Sequence, residues 1–140
     1  MILDQVSVFV ENKPGALADV TARLAEASVD FKAFTVADTA EFGVLRFIAD
    51  APKKALALLK LGGWVASLTP VVAVKMSNEP GSLARILKVL SDQGIQVEYT
   101  YAFVAQEKGR AYVVFRVADP AGAATLLEAS GFETLKSITD

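Results

Sequence analysis

The chain has 140 residues, 53% of them hydrophobic, a formal charge of −2, and neither histidine nor cysteine. That inventory excludes Cys or His zinc sites, thiol nucleophiles and Ser-His-Asp triads, and its thinly spread Lys and Arg give no electrostatic footprint for nucleic acid or an anionic membrane. The longest apolar stretches are cut at Lys60, Gly62, Gly63, Pro70 and Lys75, well short of a membrane span, and the start Met1-Ile2-Leu3-Asp4 lacks the basic and long apolar regions of a signal peptide, so a cytoplasmic location is expected.

Val6, Val8 and Val10 alternate with Ser7 and Phe9 and predict a first strand. After the turn Asn12-Lys13-Pro14-Gly15, the residues Leu17, Val20, Leu24 and Ala27 recur at helical spacing. Pro14 suits a first helical turn, where its missing amide has no helical partner to lose. Two strands follow as a hairpin, Asp30 to Ala37 and Phe42 to Ala49, with Asp38-Thr39 in the turn. Asp50-Ala51-Pro52 then opens a second helix, with the aspartate as its expected cap, and Gly62-Gly63 ends it as left-handed C-terminal residues. A last strand begins near Trp64.

The same order then repeats. Val8-Phe9-Val10-Glu11-Asn12-Lys13-Pro14-Gly15-Ala16-Leu17 returns as Val74-Lys75-Met76-Ser77-Asn78-Glu79-Pro80-Gly81-Ser82-Leu83, an offset of 78 − 12 = 66 residues. Leu83, Ile86, Leu87 and Leu90 mark the next helix. Gln96 to Ala105 and Arg110 to Val117 form the next hairpin about Lys108-Gly109, Asp119-Pro120 opens the last helix, and Gly131 ends it. Phe47 and Phe115, like Gly63 and Gly131, differ by 115 − 47 = 68, so the second hairpin is two residues longer. Two copies are too few for a solenoid. The fold class expected is α+β: two ferredoxin-like βαββαβ units, residues 1–69 and 70–140, each an antiparallel sheet with two helices on one face.

The repeated Asn-x-Pro-Gly-Ala/Ser-Leu turn, each time between a first strand and a first helix, resembles the signature turn of ACT domains, and the resemblance covers nearly the whole chain. It implies regulatory sensing, usually of amino acids, at interfaces between ACT units. The residues themselves make the turn a plausible site. Gly15 and Gly81 let backbone amides at a helix N-terminus approach a carboxylate, and Asn12 and Asn78 offer an oxygen for an α-ammonium and an NH₂ for the carboxylate. The competing reading is that Asn and Pro-Gly only shape a tight turn. The site residues expected are Asn12, Pro14, Gly15, Ala16 and Leu17 in the first copy and Asn78, Pro80, Gly81, Ser82 and Leu83 in the second. The resemblance adds the second strands as the ligand's other wall, hence Phe34, Tyr99 and Thr100. These favour a hydrophobic or aromatic amino acid, although Tyr99 reads equally well as core or interface, and Tyr101, on the same strand face, reads as structural.

No catalytic residue, metal or cofactor is expected. Rival activities of the same fold class lack their chemistry here: there is no Cys-x-x-Cys loop for metal carriage and no aromatic and basic third strand for RNA. The alternative function is a dimerisation or protein-interaction subunit that regulates a separate metabolic enzyme without binding a ligand. Only Thr69-Pro70 joins the copies, too little to span the six strand spacings, roughly 29 Å, that pairing second strands within one chain would demand. Such pairing would therefore join different chains in a homodimer. The outward sheet positions Phe9, Val44, Ile48 and Tyr112 are apolar and are expected to be covered.

Overall fold

The computed structural model describes residues 1–38, 41–105 and 107–138. Thr39 of the expected first hairpin turn and the last two positions of the second domain lie outside the described residues. The chain divides into two compact units, one of Asp4–Thr69 and one of Met1–Leu3 with the residues from Pro70 onward.

In the first unit, β1 (Leu3–Glu11), α1 (Ala16–Glu26), β2 (Phe31–Asp38), β3 (Phe42–Ala49) and α2 (Pro52–Leu61) lead to β4 (Ala66–Ser77). The twelve-residue β4 carries the fourth strand of this unit and the first of the next. The first unit's strand order is β2-β3-β1-β4, with β1 and β3 antiparallel and Val8 opposite Leu45. Strand alternation sends Val6, Val8 and Val10 to one face, where they meet Leu45 and Phe47 of β3, Val20 and Leu24 of α1, and Ala55 and Leu59 of α2. Each is at most 4% exposed, so this is one dry core under two helices. Ring stacking of Phe31 on Phe47, with centroids 4.2 Å apart, extends that core to the start of β2.

The second unit repeats the plan. After β4 come α3 (Ser82–Asp92), β5 (Tyr99–Val104), β6 (Arg110–Arg116), α4 (Pro120–Ala129) and the short β7 (Glu133–Thr134). Here β4 lies between β6 and β7 and β5 borders β6. Val72, Val74, Val113 and Phe115 of the sheet, with Val117 just past β6, pack under Ile86 and Leu90 of α3 and Ala123, Ala124 and Leu127 of α4. Each copy is therefore a βαββαβ unit with both helices packed on the sheet's core residues, as the repeat predicted.

Several local expectations need correction. Asp50 does not cap α2, whose N-cap is Ala51 with no side-chain hydrogen bond. Its carboxylate instead accepts the Asp30 amide at 3.1 Å, tying the start of β2 to the end of β3. Asp119 does cap α4, accepting the Gly122 amide at 3.1 Å. At the end of α2 only Gly63 is left-handed, with φ +90°, while Gly62 has φ −80°. Leu17 and Leu83, the first members of the two helical stripes, are 42% and 37% exposed, because each sits on the opening turn beyond the reach of the core. Of the outward sheet positions, Ile48 and Tyr112 are buried, Val44 is half-buried, and Phe9 is exposed. Phe103 packs on Tyr112 with ring centroids 5.2 Å apart.

Candidate ligand-binding site at the strand-to-helix turns

Both turns reach their helix through a left-handed glycine: Gly15 has φ +88° and Gly81 φ +89°, and each is the N-cap of its helix. A side chain is strained in that backbone region, so glycine is the residue that lets the chain enter the helix at this angle. Neither α1 nor α3 has a side-chain cap. α4 differs, since Asp119 accepts its Gly122 amide, while α2 is likewise without a side-chain cap.

In the first unit the turn is pinned by backbone bonds. The Asn12 amide donates to the Glu41 carbonyl at 3.0 Å and the Lys13 amide to the Glu11 carbonyl at 2.9 Å. Lys13 also pairs with the Glu11 carboxylate at 2.9 Å. That hydrogen bond holds the lysine pKa above its usual value, though both side chains are largely exposed and such a pair contributes little to stability. A cavity of about 260 Å³ lies at this turn. Asn12, Pro14, Gly15 and Leu17 line it, together with Val36 and Asp38 from the end of β2 and Gly43 of β3. Gly43 falls opposite both Val10 and Asp38 in the sheet register, which is why three strands converge there.

Four of the expected residues thus share one cavity wall, with Ala16 half-buried beside them. Phe34 does not: it is 64% exposed, and the β2 residues at the cavity are Val36 and Asp38. These two were missed in the sequence. Strand direction carried the signal, because a β2–β3 hairpin brings the end of β2, not its middle, to the end of β1.

In the second unit the Asn78 amide donates to the Gly109 carbonyl at 2.8 Å, and the turn is closed by side chains. The Ser77 and Ser82 hydroxyls lie 2.7 Å apart, Ser77 Oγ also donates to Glu79 at 3.1 Å, and Arg85 donates to Ser82 Oγ at 3.3 Å. Ser82 is only 3% exposed, so an expected ligand residue is here a buried member of the turn's own network. Asn78, Pro80, Gly81 and Leu83 are exposed. Tyr99 and Thr100 lie at the far end of β5, opposite Arg116 and Phe115, whereas the turn neighbours the hairpin end of that strand. From Val104 back to Tyr99 the strand runs roughly 16 Å, so within one unit these residues do not share a pocket with Asn78. Thr100 Oγ1 is already used, donating to the Val114 carbonyl at 2.7 Å.

The arrangement defines a duplicated α+β module of the ferredoxin-like type, with a glycine-opened helix at matching places in its two copies. Sequence comparison assigns it further: the family model for an ACT domain pair matches residues 1–133, and the chain belongs to that family. No curated protein matches the sequence. Among solved structures, a protein of Bacteroides thetaiotaomicron is 36% identical with a TM-score of 0.90, over 96% of this chain and 92% of that one. The regulatory subunit of aspartate kinase from Thermus thermophilus, in its ligand-free form, is 18% identical with a TM-score of 0.67 and 91% of each chain covered. The corresponding subunit from Thermus flavus is also 18% identical, with a TM-score of 0.61, over 94% of this chain and 95% of that one. At 18% identity these two attest the fold. Among the described residues no helix is long and apolar enough to cross a membrane.

Proposed function

We propose that this chain is a non-catalytic regulatory module that binds a free amino acid at its Asn-x-Pro-Gly turns. The observation that carries the reading is the pair of uncapped helices opening on left-handed glycines, one of them at a cavity of amino-acid size. A carboxylate is favoured at such a helix start by the backbone amides and the helix dipole. Asn12 and Asp38 lie on the same cavity wall and suit the α-ammonium, and Leu17 and Val36 give it an apolar side. These favour a hydrophobic or aromatic amino acid; we also take the chain to work in the cytoplasm, as two domains of residues 1–69 and 70–140. Membership of the ACT domain pair family supports a regulatory role, as does the fold shared with regulatory subunits of aspartate kinase.

We further propose that the active form is a homodimer. Among the described residues β2 borders only β3, and its Phe34 and Val36, opposite Phe47 and Leu45, are 64% and 44% exposed, an apolar strand edge that invites pairing with a second copy. Across such a dimer Phe34, Tyr99 and Thr100 would be supplied to a turn by the other molecule. The same edge favours a second reading, in which the chain only dimerises and regulates a separate metabolic enzyme without a ligand. Calorimetric titration with each amino acid separates the two. Heat that saturates in the native chain and vanishes in the double variant Gly15→Val with Gly81→Val supports the sensor, and silence throughout supports the interaction subunit.

A further inference from the structure

Beside each glycine-opened helix lies a groove, and the two grooves are built from equivalent positions. In the first unit it measures about 360 Å³ and includes Phe9, Glu11, Ala16, Asp19, Phe42 and Trp64. In the second it measures about 260 Å³ and includes Lys75, Ser77, Ser82, Arg85, Arg110 and Phe132. Each of these six residues stands exactly one repeat after its counterpart, by 66 residues up to Arg85 and by 68 beyond it. The scaffold is the same and the chemistry is not. Charged lining residues sum to +1 − 2 = −1 in the first groove, from Lys13 against Glu11 and Asp19, and to +3 − 1 = +2 in the second, where Glu133 is the single acid.

We propose that the second unit's groove is a binding site for a small oxyanion, a phosphate or a carboxylate, distinct from the amino-acid site at the turns. Arg85 and Arg110 offer planar donor forks suited to paired oxygens, and Lys75 adds a third charge. The Ser77 and Ser82 hydroxyls, 2.7 Å apart, stand on the same wall, and Arg85 is already turned onto Ser82 at 3.3 Å. The present partner of Arg85 is a weak competitor. Arg85 lies 3.8 Å from Glu79 with both side chains more than half exposed, an arrangement that contributes little in water. Lys75 pairs with the exposed Glu107 of the β5–β6 hairpin, and Arg110 lines the groove beside it. In the first unit aspartate replaces Arg85 and phenylalanines replace Lys75 and Arg110, so that groove has no use for an anion.

The test is titration of the intact chain with inorganic phosphate and, separately, with succinate, at constant ionic strength and followed by amide chemical shifts. Saturable shifts confined to the groove around Ser77, Ser82, Arg85 and Arg110, and weakened about tenfold or more in Arg85→Gln with Arg110→Gln, support the site; the anion that produces them names its source. Because both arginines are exposed, the double variant keeps its fold, verified by an unchanged spectrum elsewhere. Absence of saturation by either anion, shifts scattered over other basic residues, or shifts unaltered in the double variant overturn it. The outcome is distinguishable from the amino-acid reading, since the probes carry no α-ammonium and the variant alters Arg85 and Arg110, which that reading does not use.

Discussion

Two glycines decide how the chain enters its first helices, and the cost of replacing them is conformational. A Cβ added at Gly15 meets no heavy atom within 4 Å, and one at Gly81 meets only Arg85 Nη1 at 3.4 Å. Gly15→Ala is therefore expected to destabilise the first unit by about 1–2 kcal/mol through its left-handed backbone alone, measurable by urea unfolding. The aspartates that precede the second helices behave differently because Asp119 stands directly before Pro120, whereas Ala51 separates Asp50 from Pro52. Asp119→Ala should cost about 1 kcal/mol and speed hydrogen exchange at the Gly122 amide. Asp50→Ala should leave the opening amides of α2 unchanged and instead speed exchange at the Asp30 amide, its partner at 3.1 Å. Spacing carried that difference and was overlooked: with proline at the first helical position the cap is the residue before it, Asp119 in α4 but Ala51 in α2, and Asp50 instead accepts the Asp30 amide.

At the level of elements, the repeat and its periodicities were enough to order strands and helices, because apolar residues at period two and near 3.6 have one consistent core face. The candidate site was legible at the turn itself, where Asn12, Pro14, Gly15 and Leu17 share a cavity wall. It was not legible across the sheet. Phe34 and Tyr99 were expected from the family resemblance, but strand direction brings the end of β2, with Val36 and Asp38, to the turn. Substitution of Val36 by Asp should therefore weaken amino-acid binding at the first turn more than Phe34→Ala does in a monomeric background, as read by calorimetry. The hairpin of the second unit makes a separate pH prediction. Its Glu107 carboxyl is held below the ordinary carboxylate range, first by a hydrogen bond with Lys75, and the same bond holds Lys75 above its usual range. A depressed acid stabilises above its unfolded pKa and loses that contribution as pH falls through the folded value. A raised lysine stabilises below its unfolded pKa and loses it as pH rises through the folded value. The pair's contribution is thus complete between the two ranges, and Glu107→Gln should flatten the acid and alkaline flanks of the stability profile together.

For the whole molecule, the pair of units conserves a scaffold while changing what lines it: the first unit keeps an open cavity at its turn, and the second closes its turn with Ser77, Ser82, Glu79 and Arg85. If an amino acid binds as proposed, that difference predicts tighter binding at the first turn than at the second. Exposed Phe34 and Val36 on the β2 edge predict a dimer by light scattering at micromolar concentration, and Val36→Lys with Phe34→Lys should return it to monomer. The most direct test of the central claim is thermal unfolding of the intact chain in the presence of each of the twenty amino acids. A ligand at about 100 times its dissociation constant stabilises by about 2.7 kcal/mol, which for a chain of this size raises Tm by roughly 6 to 12 °C. The account predicts such a rise for at least one hydrophobic or aromatic amino acid and its loss in Gly15→Val; a Tm unmoved by all twenty at millimolar concentration would contradict it.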